Sequence, residues 1–279
     1  MKNSSIQWTD HTWNIARGCR KVDSDCKYCY MYRDSMNGTR YDPIQIERTK
    51  TVFNLPLRIK EPSKIFTCSL TDFFLPEIDS YRNEAWDIIR QCPQHTFQIL
   101  TKRPERIIEC LPSDWGNGYE NVWLGTSVGS GTEKGYQRID DILKVPAKKR
   151  FLSLEPLHEP IDLSYPEYLF PDGVQGCCSG RDCGCLGKPT DPPVIWHFDW
   201  IIVGGESGNN VGKYQYRPCK LEWIEDIVSL CKQYRIPVFV KQLGTHLAKE
   251  LNLSDRHGGN IEEFPKHLQV RQFPSQMQG

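Results

Sequence analysis

Residues 96–111, TFQILTKRPERIIECL, place a strand pattern directly before a helix pattern. Residues 96–100 form a short run dominated by aromatic and aliphatic side chains, which is typical of a buried β-strand. Pro104 stands at the head of residues 105–111, where a first helical turn tolerates proline because its missing N–H group would have no partner there. The segment therefore predicts one strand that leads, through three polar residues, into a helix.

The same alternation recurs along most of the chain. The other strand candidates are residues 8–15, 64–68, 122–126, 150–154, 200–203 and 237–240. Helical patterns lie between them, such as the apolar spacing of Leu221, Ile224, Val228 and Cys231 on one helix face. Strands that alternate with helices form parallel sheets with right-handed crossovers. The pattern predicts an α/β fold with a full or partial parallel (β/α) barrel. A Rossmann-like open sheet is the alternative, but no G-x-G-x-x-G motif follows a strand.

Composition excludes several classes of protein. The chain has 279 residues, and its 35 Lys and Arg balance its 35 Asp and Glu, which excludes a chain-wide attraction to nucleic acid or to an anionic membrane. No apolar run reaches the roughly 18 residues of a transmembrane helix, and residues 1–8 lack the apolar core of a signal peptide. We therefore expect a cytoplasmic protein without a membrane partner, whose twelve cysteines are reduced and available to metals.

We predict a single domain over residues 1–279, with two departures from the regular alternation. Residues 164–198 are rich in Pro, Gly and Cys and show no periodicity, which predicts a cysteine-rich insertion in one connection between a strand and a helix. Residues 245–279 are polar and interrupted by Gly and Pro, which predicts a C-terminal flap or tail.

Three cysteines follow the first strand candidate with the spacing Cys19-x6-Cys26-x2-Cys29. Three thiolates on one short loop can bind three corners of a cubane iron–sulfur cluster and leave one iron open for a substrate or cofactor. Zinc is the competing interpretation, although a structural zinc site needs four protein ligands, so that His11 or Cys68 would have to supply the fourth. A loop without metal is the third interpretation.

A second group of four cysteines lies in the predicted insertion, within the stretch CCSGRDCGC at residues 177–185. Four soft ligands interleaved with glycine could close a tetrahedral zinc site that holds an irregular loop together. We therefore regard Cys177, Cys178, Cys183 and Cys185 as candidate ligands of a second metal site. Reduced bystanders and a second iron–sulfur cluster are the alternatives.

Polar or charged residues follow almost every predicted strand. In a parallel barrel these positions converge at one edge, where the site forms. The basic candidates suit a carboxylate or phosphate, and the acidic ones suit amines, ribose hydroxyls or protons. Simple capping of the following helices is the alternative for each position. The candidates for catalysis are Asp72, Lys102, Arg103, Glu155 and Lys241.

A glycine-rich turn after residues 200–203 is a candidate cofactor contact. Gly204 and Gly205 would let the backbone approach a ligand closely, and Glu206 and Ser207 follow where they could bond to it. A tight turn in which the glutamate and serine cap the next helix is the alternative.

Several blocks of the sequence resemble one known family. In chain order they are QWTD at 7–10, TWN at 12–14, GC at 18–19, CKYCY at 26–30, SLTDFF at 69–74, QHTFQILTKRP at 94–104, VWLG at 122–125, SLEPL at 153–157, IVGGESG at 202–208 and FVKQLG at 239–244. Together they resemble the phage-associated three-cysteine-motif proteins, a family of largely unassigned function that is similar to radical S-adenosylmethionine (SAM) enzymes. The likeness covers roughly residues 6–245.

The resemblance implies a radical-SAM-like barrel, related to the TIM barrel, in which Cys19, Cys26 and Cys29 hold a [4Fe–4S] cluster. It further implies that SAM binds to the open iron, with Tyr28 as the aromatic residue before the last cysteine. An electron donor protein would reduce the cluster, and cleavage of SAM would give methionine and a 5′-deoxyadenosyl radical that abstracts hydrogen from a substrate. The sequence departs from the common radical-SAM loop in one respect, since six residues rather than three separate the first two cysteines.

The basic N-terminal third bears on the substrate. Residues 17–60 carry ten Lys and Arg against five Asp and Glu, with four tyrosines among them. Such a composition suits phosphate contacts and base stacking, so a nucleobase or nucleotide-derived substrate is our hypothesis. A solvated helix face is the plain alternative. For the whole protein, the alternative is a zinc-stabilised nucleic-acid-binding or adaptor protein without catalysis.

Overall fold

The computed structural model of the chain describes residues 4–32, 42–165, 192–208 and 215–274. Seven strands form one parallel sheet that curls into a half-barrel, and two short strands pair antiparallel beside it. In chain order the strands are β1 (His11–Trp13), β2 (Ala16–Arg17), β3 (Glu47–Arg48), β4 (Lys64–Thr67), β5 (Thr96–Thr101), β6 (Val122–Ser127), β7 (Lys149–Leu157), β8 (Trp200–Gly205) and β9 (Val238–Gln242).

The strands of the large sheet lie in the order in which the chain visits them. From one edge to the other the order is β1, β4, β5, β6, β7, β8 and β9, and every neighbouring pair is parallel. The predicted α/β class and the partial barrel of parallel strands are confirmed. The Rossmann-like alternative was wrong, because a doubly wound sheet reverses its strand order near the middle and this sheet does not.

Among the described residues, helices α1 (Asp79–Gln91), α2 (Ile107–Cys110), α3 (Glu133–Leu143) and α4 (Leu221–Tyr234) lie between strands of the large sheet, and α5 (Gly244–Glu250) follows the last strand. Thr132 caps α3, since its hydroxyl oxygen accepts the backbone N–H three residues later at 3.3 Å. Helix α4 buries Ile224, Val228 and Cys231, as their spacing predicts. Within the described ranges, no helix is both long and apolar enough to cross a membrane.

The two faces of the curled sheet have different cores. Alternate side chains of a strand point to opposite faces, and the outward set packs against the helices in the main core. Near the amino ends of the strands the inward set is aromatic, and Trp123, Phe151, Trp200 and Phe239 form a separate cluster with Trp8. The Trp200 ring meets all four of the other rings, at centroid distances of 5.7 Å to Trp123 and Phe151, 6.1 Å to Trp8 and 6.2 Å to Phe239. Because this end of the half-barrel is filled, the carboxyl ends of the strands are left for a site.

The C-terminal segment packs against the last strand. Backbone hydrogen bonds of 2.9 Å join Val240 to Val270 and Val238 to Gln272. These bonds satisfy part of the free edge of β9, which would otherwise expose unpaired backbone groups. Of residues 245–279, predicted as a flap or tail, the structure describes residues 245–274, and Val270 and Gln272 pair with the edge of the sheet.

Candidate functional site

The cysteine loop, residues 18–29, lies over the carboxyl edge of the sheet. Side chains or backbone groups that follow four different strands bond to it: Arg103, Gly129, His158 and Arg217. Gly18 opens the loop with a φ of 91°, and a Cβ atom there would lie 2.2 Å from the carbonyl oxygen of Gln45, so this position requires glycine. The loop lies at the edge where a parallel barrel gathers its chemistry.

The three thiols of the loop form one electrostatic group. Cys19, Cys26 and Cys29 are all half-buried, and none forms a disulfide. Burial and then the Asp72 carboxylate raise the pKa of Cys19 to about 12, and the other two cysteines add to the rise. Burial likewise raises the pKa of Cys29, and Cys26 contributes. A thiolate of Cys19 or Cys29 therefore needs positive charge beside it, which a metal centre would supply.

The fit of these residues to a cluster rests on the chemistry of the donors. In the described part of the chain, no group of three or more His, Cys, Asp or Glu side chains is arranged to hold a metal ion. A cubane cluster takes three thiolates through three different iron atoms, and one loop here supplies three thiols. Of the two candidate fourth ligands for zinc, His11 lies at the amino end of β1, whereas the cysteine loop lies at the carboxyl ends of the strands. Cys68 is fully buried, and the nearby Cys19 contributes to its raised pKa, after burial and Asp72.

Asp72 and Arg103, two of the predicted catalytic residues, form a buried ion pair beneath the loop. One oxygen of Asp72 accepts from Arg103 Nη1 at 3.3 Å, and the other accepts from the Thr101 hydroxyl at 2.7 Å. Arg103 then donates through Nη2 to the main-chain carbonyl of Arg20 at 2.7 Å. The pair therefore joins the segment after β4 to the end of β5 and holds the loop next to Cys19.

Glu206, a predicted cofactor contact, forms the second ion pair at the loop. It accepts three hydrogen bonds from Arg217: from the backbone N–H at 2.7 Å, from Nε at 2.9 Å and from Nη2 at 2.7 Å. The remaining guanidinium nitrogen of Arg217 donates to the carbonyl of Ser24 at 2.8 Å. The same guanidinium lies 5.7 Å from the ring centre of Tyr28. This pair thus holds the middle of the loop and contacts the predicted aromatic cofactor residue.

Gly204 and Gly205 are required by the packing of β8 against β9. A Cβ atom at Gly205 would lie 2.2 Å from the carbonyl oxygen of Leu243, and one at Gly204 would lie 2.9 Å from that of Gln242. The absence of side chains therefore permits the close approach of two strands at the edge of the site. Ser207 follows the turn and is half-buried.

Asp25 is a buried acidic residue of the loop that sequence reasoning missed. It accepts from Arg138 Nη1 at 2.8 Å and from the Gly129 N–H at 3.1 Å, and its other oxygen lies 2.8 Å from His158 Nε2. Burial acts to raise the pKa of Asp25, but the hydrogen bond of His158, the charge of Lys102 and the Gly129 N–H outweigh it, and the pKa is lower than usual. The available signal was an acid in the gap between the first two cysteines of the loop.

Glu155 and Lys241, both predicted as catalytic, meet across the inner face of the sheet. Lys241 Nζ lies 2.6 Å from Glu155 Oε1, and because β8 separates β7 from β9, the pair spans three strands. Lys102 forms no salt bridge with a described residue, yet its charge acts to lower the pKa of both Asp25 and Cys29. Among the described residues at the mouth of the half-barrel, Glu155 and Lys241 are therefore paired with each other, and Lys102 is a cation without a salt bridge near Cys29.

The second cysteine cluster lies outside the described residues. Of the predicted insertion 164–198, the structure describes residues 164–165 and 192–198. A second metal site at Cys177, Cys178, Cys183 and Cys185 therefore stays a prediction.

Fold and site together define a parallel α/β half-barrel protein whose carboxyl edge carries a loop with three cysteines. The chain belongs to the family DUF5131, described as a protein of unknown function, which matches residues 3–274. No curated protein and no solved structure matches the chain significantly.

Proposed function

We propose that this chain is an iron–sulfur enzyme of the radical-SAM type, in which Cys19, Cys26 and Cys29 hold a [4Fe–4S] cluster with one open iron. One observation carries the proposal: three half-buried thiols, which interact electrostatically, lie on a single loop that is bonded to the carboxyl edge of a curled parallel sheet. The resemblance of the chain to the phage-associated three-cysteine-motif proteins supports the same assignment.

Three protein ligands leave the fourth iron of such a cluster free for SAM. When bound, the cluster supplies an electron, received from a donor protein, that splits SAM into methionine and a 5′-deoxyadenosyl radical for hydrogen abstraction from a substrate. The cysteine loop and the aromatic cluster around Trp200 cover the two ends of the interior, which would keep water away from the reacting groups.

Lys102 and the paired charges have separate roles in this proposal. Lys102 would bind the carboxylate of SAM, or a carboxylate or phosphate of the substrate, because it forms no salt bridge with a described residue and lies near Cys29. The Glu155–Lys241 pair lies on the inner face, where it offers one acceptor and one donor for orienting a substrate.

Exposed cations on the loop favour a nucleotide-derived substrate. Lys21 and Lys27 are exposed, and neither forms a salt bridge with a described residue. Lys134 is exposed next to them, with its Nζ 3.0 Å from the Val22 carbonyl, and Lys27 lies over the Tyr28 ring. Phosphates suit these cations. Fluorescence anisotropy with a labelled single-stranded oligonucleotide should show binding that weakens as salt is raised, and the absence of binding at low salt would contradict this substrate class.

Anaerobic reconstitution with iron and sulfide tests the cluster. We expect about four iron and four sulfide per chain, and an absorption band at about 400 nm that bleaches in air. With a strong reductant, the protein should then cleave SAM. Cys26→Ala should lose the iron, whereas Cys92→Ala, at a buried cysteine outside the loop, should keep it. A colourless, air-stable protein would contradict the proposal.

The second candidate function is a zinc-stabilised nucleic-acid-binding or adaptor protein without catalysis. Cys68 favours it, because this buried thiol lies close enough to Cys19 for the charge of Cys19 to raise its pKa, in addition to burial and Asp72. Cys68→Ala separates the two candidates. A cluster held by three cysteines keeps its iron in this variant, whereas a zinc site of four cysteines loses its metal, as elemental analysis will show.

A further inference from the structure

Asp25 ties the cysteine loop to three separate parts of the half-barrel. Its side chain is 3% exposed, and it contacts Gly129 after β6, Arg138 on α3 and His158 after β7 at 3.1, 2.8 and 2.8 Å. Its partners are themselves fixed. The Arg138 side chain donates to the Ser127 carbonyl at 2.8 Å, and the backbone N–H of His158 donates to the Gly129 carbonyl at 2.9 Å. Asp25 therefore enters a socket that the half-barrel forms.

The two other buried ion pairs at the loop, Asp72–Arg103 and Glu206–Arg217, contact its backbone. Arg103 and Arg217 donate to the main-chain carbonyls of Arg20 and Ser24. Any residue at these two loop positions would present the same carbonyl oxygen. Asp25 differs because the contact is made by a specific side chain, so that a single substitution empties the socket.

The six-residue gap between the first two cysteines contains the groups that make this contact. Asp23 and Asp25 both pair with Arg138. Asp23 also accepts the backbone N–H of Asp25 at 2.9 Å, which starts the helical turn Ser24–Cys26. Asp23, Ser24 and Asp25 occupy the last three of the six positions between Cys19 and Cys26. The gap between the first two cysteines therefore carries the anchor of the loop.

We propose that Asp25 is a positioning residue, which seats the cysteine loop over the carboxyl ends of the strands and keeps a buried negative charge beside the proposed cluster. The effect on the cluster rests on the proposed function. The seating of the loop does not, because it is a property of the metal-free protein.

Thiol alkylation of the metal-free protein tests whether Asp25 holds the cysteine loop on the half-barrel. Asp25→Asn keeps the shape of the side chain and leaves Arg138 without its most buried partner. We expect Cys26 and Cys29 to react with iodoacetamide about tenfold faster than in the wild type, because the charge-assisted bonds that close the loop are lost. Mass spectrometry locates the modified residues, and Cys231, buried on α4, is the internal control for global unfolding. Unchanged rates at Cys26 and Cys29 overturn the inference.

His158→Gln is the second variant, and it changes the socket without changing the loop. It weakens one of the three contacts of Asp25, so Cys26 should again react faster, by a smaller factor than in Asp25→Asn. This variant decides the question if Asp25→Asn does not fold. A rate at Cys26 equal to that of the wild type overturns the role of the socket.

Redox titration of the reconstituted protein tests whether the negative charge of Asp25 acts on the proposed cluster. Loss of a negative charge beside a cluster favours its reduced state, so Asp25→Asn should shift the midpoint potential to a more positive value. Asp23→Asn is the matched control, because its side chain pairs with the same arginine but is 14% exposed, and its shift should be smaller. Equal shifts, or none, overturn the role of Asp25. A wild-type protein that takes up no iron instead refutes the proposed function, and the alkylation rates then decide the seating alone.

Discussion

Loss of the Arg217 guanidinium should destabilise the protein and loosen the cysteine loop. Arg217 donates three hydrogen bonds of 2.7, 2.9 and 2.7 Å to Glu206, whose side chain is 7% exposed. Arg217→Met keeps much of the side-chain length but leaves the carboxylate with only the backbone donor. Removing one partner of a buried ion pair lowers stability by about 3–5 kcal/mol. Since the backbone bond remains and Arg217 is 16% exposed, we expect the lower end of this range.

Urea denaturation followed by tryptophan fluorescence measures the free energy of unfolding. We expect Arg217→Met to lower it by about 3 kcal/mol. Glu206→Gln, added to this variant, removes the stranded charge and should restore about half of the loss. Lys220→Met is the matched control. It breaks the nearby pair with Glu222, in which both side chains are 63% exposed, and it should change the free energy by less than about 1 kcal/mol.

Two results would refute this reasoning. If Arg217→Met stays within about 1 kcal/mol of the wild type, the pair behaves like an exposed one and does not hold the loop. If the double variant is as unstable as the single one, lost packing rather than a stranded charge explains the effect. Iron content gives a second readout. Arg217→Met should bind less iron than Lys220→Met, because Ser24, in the turn that leads to Cys26, loses its donor.

Three further substitutions have separate expected outcomes. Cys26→Ala should abolish iron binding but leave any metal bound at residues 177–185, and loss of both metals in elemental analysis would indicate one shared site. Gly125→Ala brings a Cβ atom to 2.5 Å from the Phe151 ring, so the free energy of unfolding should fall by about 1–3 kcal/mol; an unchanged value in urea denaturation would mean that the ring moves without strain. Lys102→Met should leave the iron content normal but weaken SAM binding in calorimetry, and an unchanged affinity would exclude Lys102 as the contact for the anionic group.

The parallel sheet could be predicted because a buried strand leaves a local pattern. Strands β4 to β9 each begin within one residue of their predicted start, since a strand covered on both faces needs a continuous apolar run. The first strand is shorter than predicted and comprises His11–Trp13. Trp8 does not extend it, because this side chain packs into the aromatic cluster inside the half-barrel. That packing depends on rings contributed by strands far along the chain.

The positions of the charged residues could also be predicted, but their partners could not. Asp72, Lys102, Arg103, Glu155 and Lys241 all follow or end strands, as expected for residues at the carboxyl edge. From the sequence they look alike. In the structure Asp72 and Arg103 hold the loop, Glu155 pairs with Lys241, and Lys102 forms no salt bridge with a described residue.

The amino-acid sequence by itself determined the alternation of strands and helices and the spacing of the three cysteines, because both are properties of neighbouring residues. Only the tertiary structure decided which charges are neutralised. Asp25 and His158 are 133 positions apart in the chain, and Glu155 and Lys241 are 86 apart. An ion pair forms where folding brings two distant side chains within bonding distance and removes them from water, and no local pattern records that distance.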